Sequence, residues 1–360
     1  MKFTIIIKNI DWQLLAPAII LTLLGLVAIF GNSSDSLSFK KQILFFGIAI
    51  VAMLVIASME VRALKANSYL LLALYLGSLL LLLGLLIFGT QTRGVKGWYD
   101  FGFMSFDPKI FSALILILVL AKYFSLRHIE MASFWTIIVP AIYVLFPIVL
   151  ILLEPDLGSS LGFIAIWFGI IMFSGLKTRH FFILILLTLI VFAGSWQVFL
   201  KDYQKQRILT FLNLQNDDRG IAWSVNQSKI AIGSAGIFGK GIGKGSQSRY
   251  GFLSEPNTDF IFSSLAEQTG LAGVFVVLAT FLFLFFRIIS IIFMASDNFT
   301  RLFSAGFAFF LLSQIFVNAG MCLGLFPVVG IPLPFVSYGG SQLLASYLGI
   351  GILMSLQRKE

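Results

Sequence analysis

The chain has 360 residues, of which 59% are hydrophobic and only 11% are charged, and its formal net charge is +9. Soluble domains carry about 25% charged residues, so a mean hydropathy of +0.98 excludes a soluble globular protein. Apolar runs near 20 residues recur along the chain, and a run of that length crosses about 30 Å of hydrocarbon as a helix. The sequence therefore predicts an all-α, polytopic membrane protein.

Ten transmembrane spans are predicted, in chain order, over residues 12–31, 42–59, 69–88, 109–124, 133–153, 158–174, 181–199, 260–286, 302–323 and 340–356. The fourth span is short, which indicates that protein shields part of it. The spans and one large loop account for the whole length, so a single membrane domain over 1–360 is expected.

The distribution of Lys and Arg predicts the orientation of the chain. Twelve of these residues fall in one set of loops and five in the short loops of the other set. Loops rich in Lys and Arg remain on the cytoplasmic side. Both termini are therefore expected in the cytoplasm, and residues 200–259, between spans seven and eight, form a large extracytoplasmic loop. Basic residues that set topology and meet anionic lipid give no reason to expect a nucleic-acid partner.

Cysteine and histidine chemistry is sparse in this sequence. Cys322 is the lone cysteine, so an internal disulfide is excluded, and the two histidines, His128 and His180, fall in predicted cytoplasmic loops. No cluster has the spacing of metal ligands, and no serine or cysteine has a histidine base beside it in a recognisable arrangement. A hydrolase triad is not supported.

The 200–259 loop has an organised pattern. Residues 203–213 form a basic, amphipathic stretch, and residues 226–248 pass from a short helical pattern into a glycine-rich run that fits no nucleotide-binding motif. Two interpretations of its basic residues remain open: a site for a pyrophosphate, or contact with lipid phosphates. These residues are Arg207, Lys229, Lys240, Lys244 and Arg249. A second irregular stretch, 324–341, is uncharged and apolar, which predicts a re-entrant or buried loop.

Two acids mark the starts of predicted spans. Asp259, in "FLSEPNTDFIF" (252–262), is expected in the first helical turn, where an acid favours the helix dipole. The same carboxylate at the membrane boundary could act chemically, and both interpretations stay open. Asp156 of "EPDLG" has the same two interpretations. Glu267 lies two turns inside an apolar helix, and ionisable groups at that depth are candidates for function.

Several motifs together resemble those of the SEDS family (shape, elongation, division and sporulation). They are "EPDLGSS" (154–160), "QRILTFLN" (206–213), "QSKIAIGSAGIFGKG" (227–241), "GSQS" (245–248), "FLSEPNTDFIFSSLAEQTG" (252–270) and "VNAGMCLGLFPVVGIPLPFVSYGGS" (317–341). The "PVVGIPLPF" segment is similar to the RodA branch. The resemblance implies a peptidoglycan glycosyltransferase that polymerises lipid II at the outer face of the bacterial cytoplasmic (inner) membrane during elongation. It also implies a class B penicillin-binding protein and other elongation-machinery membrane proteins as partners.

The resemblance implies roles for single residues. The family's essential aspartate corresponds to Asp259, the expected base. Candidates for substrate binding are Arg207, Lys229, Lys240, Glu255 and Asp156. A divalent cation, magnesium or manganese, could be held by Asp259 or Asp156, and no organic cofactor is expected.

One departure from the family pattern concerns the fourth span. Where the family carries a glutamate and a lysine, this chain has Ile110 and Ala113, and Asp107 and Lys109 are candidates for a shifted pair. The departure keeps one alternative open, a non-catalytic scaffold for a transpeptidase. A second alternative is a lipid II flippase, which would need a charged path through the spans. Nearly complete absence of charge at mid-membrane counts against a flippase.

Overall fold

The structure is a computed structural model that describes residues 10–32, 36–61, 67–92, 95–126, 135–175, 202–212 and 220–358. Nine long helices lie within these ranges: α1 (Trp12–Asn32), α2 (Ser36–Ser58), α3 (Ser68–Phe88), α4 (Pro108–Leu126), α5 (Trp135–Leu153), α6 (Leu157–Ser174), α10 (Ile261–Met294), α11 (Asn298–Leu323) and α12 (Gly340–Gln357). Three shorter helices lie between α6 and α10: α7 (Asp202–Phe211), α8 (Ile221–Gly233) and α9 (Ser246–Arg249).

The nine long helices coincide with nine of the ten predicted spans. The remaining span, 181–199, lies outside the described residues. Seven helices in the described ranges are long and apolar enough to cross a membrane, and residues Ile138–Leu153 of α5 form a shorter apolar helix. The prediction of a polytopic helical membrane protein is confirmed, whereas the total of ten spans stays a prediction.

A small sheet between α3 and α4 was not indicated by the hydropathy pattern. Strands β1 (Thr90–Thr92), β2 (Val95–Asp100) and β3 (Ser105–Phe106) pair antiparallel in that order. The segment is short and mixed in polarity, so it gives neither a clear two-residue alternation nor an apolar run. The sheet places Trp98 close to the start of α4.

The described chain divides into two compact units, each assembled from separate stretches. The first unit comprises 1–55, 206–287 and 314–350, and the second comprises 56–205, 288–313 and 351–360. The first therefore contains α1, α8, α9, most of α10 and the α11–α12 loop. The second contains α3 to α6 and the small sheet. The single membrane domain over 1–360 stays a prediction.

Three helices extend beyond the predicted spans by four or more residues. Helix α2 begins at Ser36 and not at residue 42, and in the other two helices a paired charge or a polar cap lies at the extension. The eighth span was predicted to end at residue 286, but α10 continues to Met294. Arg287 remains in the helix because its guanidinium binds Asp11 Oδ2 at 2.7 Å. Helix α11 begins at Asn298 instead of 302 because Asp297 accepts hydrogen bonds from the amides of Phe299 and Thr300.

The second half of the α11–α12 loop, residues 331–337, is largely buried, as its apolar sequence predicted, whereas Leu325 and Phe326 in its first half are 65% and 43% exposed. Leu333, Phe335, Val336 and Ser337 are at most 1% exposed. Ser337 Oγ accepts the amide of Leu333, so the loop satisfies part of its own backbone. Gln42 of α2 accepts the amide of Gly339 and donates to the Ser337 carbonyl. A buried irregular loop needs such partners, because unpaired backbone groups are costly away from water.

Candidate active site

Asp259 lies in a tight turn that precedes α10. The carbonyl of Glu255 accepts the amides of Thr258 and Phe260, which closes the turn. Helix α10 begins at Ile261, so the prediction that Asp259 falls in the first helical turn was wrong by two residues. The turn ends the chain's irregular stretch, and its backbone bonds hold Asp259 just outside the helix.

Groups from two distant elements, the end of α1 and the α11–α12 loop, fix this turn. Asn32, at the end of α1, donates to the Pro256 carbonyl and to Asn257 Oδ1, each at 3.1 Å. Ser337 Oγ donates to the Thr258 carbonyl at 2.8 Å. The amide of Tyr338 donates to the Asn257 carbonyl at 2.8 Å. A turn tied at three successive residues has little freedom, which is the condition for a preorganised functional group.

Asn318 of α11 connects Asp259 to the buried loop. Its fully buried amide donates to the Asp259 carbonyl at 3.0 Å and to the Ile331 carbonyl at 2.8 Å. Gly330, the residue before Ile331, lies against the carboxylate, since a Cβ added there would be 3.7 Å from Asp259 Oδ2. One side chain therefore sets both the backbone of Asp259 and the loop beside its carboxylate.

Two of the predicted anion-binding residues border the same loop. Arg207 of α7 donates from Nη1 to the Val328 carbonyl at 3.1 Å, two residues before Gly330. Lys229 of α8 lies over Gly324, where an added Cβ would be 2.6 Å from Nζ. Lys229 is exposed, and the described residues include no ion-pair partner for it. The α11–α12 loop thus brings Arg207, Lys229 and Asp259 together around one stretch of backbone.

Lys240 has a different setting. Its ammonium lies 2.9 Å from Oε1 of Glu267, which is fully buried in α10. The carboxylate of Glu267 also accepts the amides of Gln247 and Ser248, and the hydroxyl of Ser248. A carboxylate that accepts several charge-assisted bonds is a strong anchor. Glu267 therefore holds Lys240 and α9 against α10.

The glycine-rich segment, defined as residues 236–252, forms backbone hydrogen bonds with α10 at a break in that helix. At Gly270, where φ is 71° and ψ is −167°, the helix is interrupted. The carbonyls of Gly236 and Ile237 accept the amides of Leu271 and Ala272, and the amides of Lys240 and Gly241 donate to the carbonyls on the other side of the break. The segment satisfies the helical groups that the break would leave unpaired. The segment is therefore packed along α10 by specific backbone hydrogen bonds.

In the second unit, Asp156 caps α6 and pairs with a buried lysine. Its Oδ1 accepts the amide of Ser159, which confirms the capping interpretation. Its Oδ2 lies 2.5 Å from Lys109 Nζ and accepts the Ser159 hydroxyl. The ammonium also lies over the Trp98 ring, 5.4 Å from its centroid, a cation–π arrangement. Asp156 thus has a structural role, and its role in binding substrate or a metal ion stays a prediction.

Two further carboxyls surround this pair. Burial raises the pKa of Asp107 to about 6, although Lys109 opposes the rise. Burial raises the pKa of Glu154 to about 8, and the neighbouring carboxylates of Asp156 and Asp107 add to that rise. Burial would also raise the pKa of Asp156, but Lys109 and Ser159 hold it below its ordinary value. Lys109 therefore favours the ionised form of Asp156. The carboxyl of Glu154, in contrast, favours its own protonated form.

The predicted shifted pair is thus present as a larger cluster. Asp107 accepts the amide of Lys109 at 3.0 Å, and the ammonium of Lys109 is directed to Asp156. Ile110 and Ala113 follow in α4, and Ala113 is fully buried. Lys109 precedes Ala113 by four residues, about one helical turn.

The described residues contain no group of three or more His, Cys, Asp or Glu side chains arranged to hold a metal ion. Asp259 belongs to the first unit and Asp156 to the second. Magnesium takes six oxygen ligands and is usually held by one or two carboxylates together with waters and substrate phosphates, so either aspartate alone would supply only part of such a site. A cation at Asp259 or Asp156 stays a prediction, and no step below depends on it.

No motif in the sequence identifies Asn32, Asn318 and Ser337 as supports of the Asp259 turn. Each is a polar residue in or beside an apolar stretch, which is the one feature that could have marked it. Their contacts join positions up to 225 residues apart, and a single sequence carries no information about such pairings.

Comparisons with known proteins give the family. A family model described as "Cell cycle protein", for FtsW, RodA and SpoVE, matches residues 10–360. Peptidoglycan glycosyltransferase MrdB of Escherichia coli (strain K12) is 36% identical over 283 residues, 79% of this chain and 76% of the relative.

Solved structures agree with that assignment. A chain from the work "Structural coordination of polymerization and crosslinking by a peptidoglycan synthase complex" is similar with a TM-score of 0.82 and 32% identity, over 96% of both chains. The rod shape determining protein RodA of Thermus thermophilus is similar with a TM-score of 0.72 and 30% identity, over 96% of this chain and 95% of that one. The chain belongs to the family of FtsW, RodA and SpoVE cell cycle proteins, the SEDS family that its motifs resemble.

Proposed function

We propose that this protein is a peptidoglycan glycosyltransferase that polymerises lipid II at the outer face of the bacterial cytoplasmic membrane and acts in cell elongation and shape. The observation that carries the proposal is the convergence of Asp259, Arg207 and Lys229 on the α11–α12 loop. The names of its relatives, peptidoglycan glycosyltransferase among them, support the same activity.

The reaction needs a base and positive charge. A sugar hydroxyl of the acceptor attacks the anomeric carbon of the donor, the new glycosidic C–O bond forms, and the bond from that carbon to the lipid pyrophosphate breaks. The carboxylate of Asp259 accepts the hydroxyl proton. The pyrophosphate leaves as an anion with the electron pair of the broken bond, so it is stabilised by cations and does not need a proton.

Arg207 and Lys229 suit the leaving group. Arg207 presents a planar guanidinium that binds phosphate oxygens in pairs. Its bond to the Val328 carbonyl positions it at the loop. Lys229 is an exposed ammonium over Gly324, where an approaching phosphate can reach it. Lys240 is paired with Glu267. We therefore propose that its main role is to hold the glycine-rich segment in place, and that contact with the substrate is a lesser role.

Glu255 and Asp156 complete the proposed set. Glu255 has a φ of 48°, and its carbonyl closes the Asp259 turn, so it orients the base. Asp156 is a proposed substrate-binding residue of the second unit, where its carboxylate is paired with Lys109. A class B penicillin-binding protein is the proposed partner, consistent with a similar chain studied in a peptidoglycan synthase complex.

The test is polymerisation of labelled lipid II by the purified protein with its transpeptidase partner. Asp259→Asn removes the base with almost no change of shape and should abolish glycan strands. Asp100→Asn is the matched control, because Asp100 is an exposed turn residue at the end of β2. Full activity of Asp259→Asn would exclude this mechanism. Restoration of cell shape by an inactive Asp259→Asn protein would instead favour the scaffold.

A further inference from the structure

The glycine-rich segment carries large apolar side chains that no part of the described protein covers. Phe238 is 82% exposed and Ile237 is 64% exposed. Ile242, Tyr250 and Phe252 of the same segment are also exposed. Contiguous exposed apolar groups of this kind mark a contact with a partner or a membrane.

Mobility does not account for this exposure. Gly239 and Gly241 have positive φ values of 77° and 95°, and an added Cβ on Gly239 would collide with the Gln268 carbonyl. The four backbone bonds across the break in α10, together with Glu267, hold the segment against that helix. Phe238 therefore occupies a fixed position relative to α10.

That position coincides with the end of a membrane span. Residues 271–294 of α10 follow the break; at 1.5 Å per residue they extend about 36 Å, enough to cross about 30 Å of hydrocarbon. An exposed apolar stripe with helical spacing runs along this part of α10, through Leu271, Phe275, Leu278, Leu282 and Phe286. Such a stripe on a membrane helix faces lipid. Leu271 is its first residue.

The segment continues this stripe. The Gly236 carbonyl accepts the amide of Leu271, and the Ile237 carbonyl accepts the amide of Ala272. Ile237 and Phe238 are therefore held at the level where the lipid-facing stripe begins. Apolar side chains next to a lipid-facing surface at the membrane boundary are expected to enter the same lipid.

The charges of the segment suit a membrane surface. Residues 236–252 contain no Asp or Glu. Lys240 is paired with Glu267, but Lys244 and Arg249 are exposed. Basic residues next to inserted apolar groups are attracted to anionic phospholipid head groups.

We propose that the glycine-rich segment is an interfacial anchor: Ile237 and Phe238 insert into the leaflet beside the start of the α10 span, and Lys244 and Arg249 bind lipid phosphate groups. The anchor fixes the height of the segment and of α10 relative to the membrane surface. This inference does not depend on the proposed glycosyltransferase activity.

The insertion is tested by measuring depth. Phe238→Cys carries a nitroxide spin label, and the full chain is reconstituted in phosphatidylethanolamine–phosphatidylglycerol vesicles. Cys322 is fully buried, so the wild-type chain serves as the labelling blank. Power saturation with oxygen and with a water-soluble nickel complex then reports whether the label is in lipid or in water. Phe275→Cys is the lipid control, and Ser234→Cys, at an exposed polar position after α8, is the water control.

The proposal predicts that position 238 is accessible to oxygen and not to nickel, at a depth of about 5–10 Å below the head-group boundary. Accessibility to nickel equal to that at position 234 would overturn it. Protection from both reagents would also overturn it, because the residue would then be covered by protein. Addition of the purified transpeptidase partner should leave the result unchanged.

The charge part of the proposal is tested with Lys244→Gln/Arg249→Gln. Phosphatidylglycerol should raise the Tm of the detergent-solubilised wild-type chain, and the double variant should lose most of that rise. Phosphatidylcholine and inorganic phosphate should produce little shift in either protein. A rise with inorganic phosphate of the same size as with phosphatidylglycerol would contradict a lipid site, and an unchanged rise in the double variant would exclude these two residues.

Discussion

The ammonium of Lys109 lies 2.5 Å from Asp156 Oδ2, and the two side chains are 2% and 15% exposed within the second unit. Lys109 is thus the cation at the centre of three carboxyl groups, those of Asp107, Glu154 and Asp156. Removal of one partner from a buried ion pair is much more costly than the net value of the pair, because it leaves an uncompensated charge.

Lys109→Met should therefore destabilise the protein by about 3–5 kcal/mol, the range found when a buried pair loses one member. The measurement is the apparent Tm in detergent. Lys40→Met removes an exposed lysine of the first unit and should leave the Tm nearly unchanged. If Lys109→Met has the same Tm as the wild type, the Lys109–Asp156 pair does not stabilise the second unit.

The burial of the Glu154 carboxyl should make the stability of the protein depend on pH. Glu154 is fully buried, and neither carboxylate oxygen has a hydrogen-bond partner in the described part of the chain. Its pKa is raised from 4.5 to about 8 by burial, with Lys109 opposing and Asp156 and Asp107 adding to the rise. Between these two values the folded state binds more protons than the unfolded state, so stability must fall as pH rises.

The Tm should accordingly decline from about pH 5 to about pH 8 and level off above that pH. Glu154→Gln keeps the shape of the protonated side chain and should flatten this dependence while raising the Tm at pH 9. A Tm profile that is identical in wild type and Glu154→Gln would show that Glu154 does not titrate in this range.

Glu267→Gln should loosen the glycine-rich segment. The carboxylate binds Lys240 and two backbone amides, and each bond to a charged group contributes about 1.5–3 kcal/mol. Amide hydrogen exchange over residues 236–249 should become at least about tenfold faster, since 1.4 kcal/mol corresponds to a factor of ten. Glu60→Gln, at an exposed position, is the control. Unchanged exchange in Glu267→Gln would show that the backbone bonds to α10 suffice.

Asn318→Ala should affect activity more than stability. The side chain donates to the carbonyls of Asp259 and Ile331, so its loss shifts the base relative to the loop. A displacement of about 1 Å can lower turnover about 100-fold, whereas two lost bonds should cost about 1–3 kcal/mol of stability. The readout is kcat with KM nearly constant, and Asn298→Ala in α11 serves as control. Equal losses of folded protein and activity would make the role of Asn318 purely structural.

Hydropathy alone predicted most helices, because a lipid-facing helix must be apolar over its length. It failed where a charge is neutralised by a partner. Arg287 was taken as the end of a span, yet its bond to Asp11 keeps it within α10. Nothing local in the glycine-rich run predicted its fold either, because Gly239 makes a close backbone contact with the break at Gly270, which lies far along the chain.

For the candidate site, the sequence allowed the residues to be predicted but not their contacts. Asp259, Arg207 and Lys229 were chosen from residue type and family resemblance, and the structure places all three around the α11–α12 loop. Lys240 was chosen on the same grounds, but its contact with Glu267 depends on how the segment folds onto α10. Sequence patterns report local preference, whereas these assignments depend on long-range contacts.

The most direct test of the account is strand synthesis from labelled lipid II by Asp259→Asn compared with wild type and Asp100→Asn, each with the partner transpeptidase and with and without a metal chelator. We expect long glycan strands from wild type and from Asp100→Asn, and none from Asp259→Asn, although all three proteins should have the same Tm. Loss of synthesis with chelator would support the predicted divalent cation. Glycan strands from Asp259→Asn at the wild-type rate would contradict the assignment of Asp259 as the base.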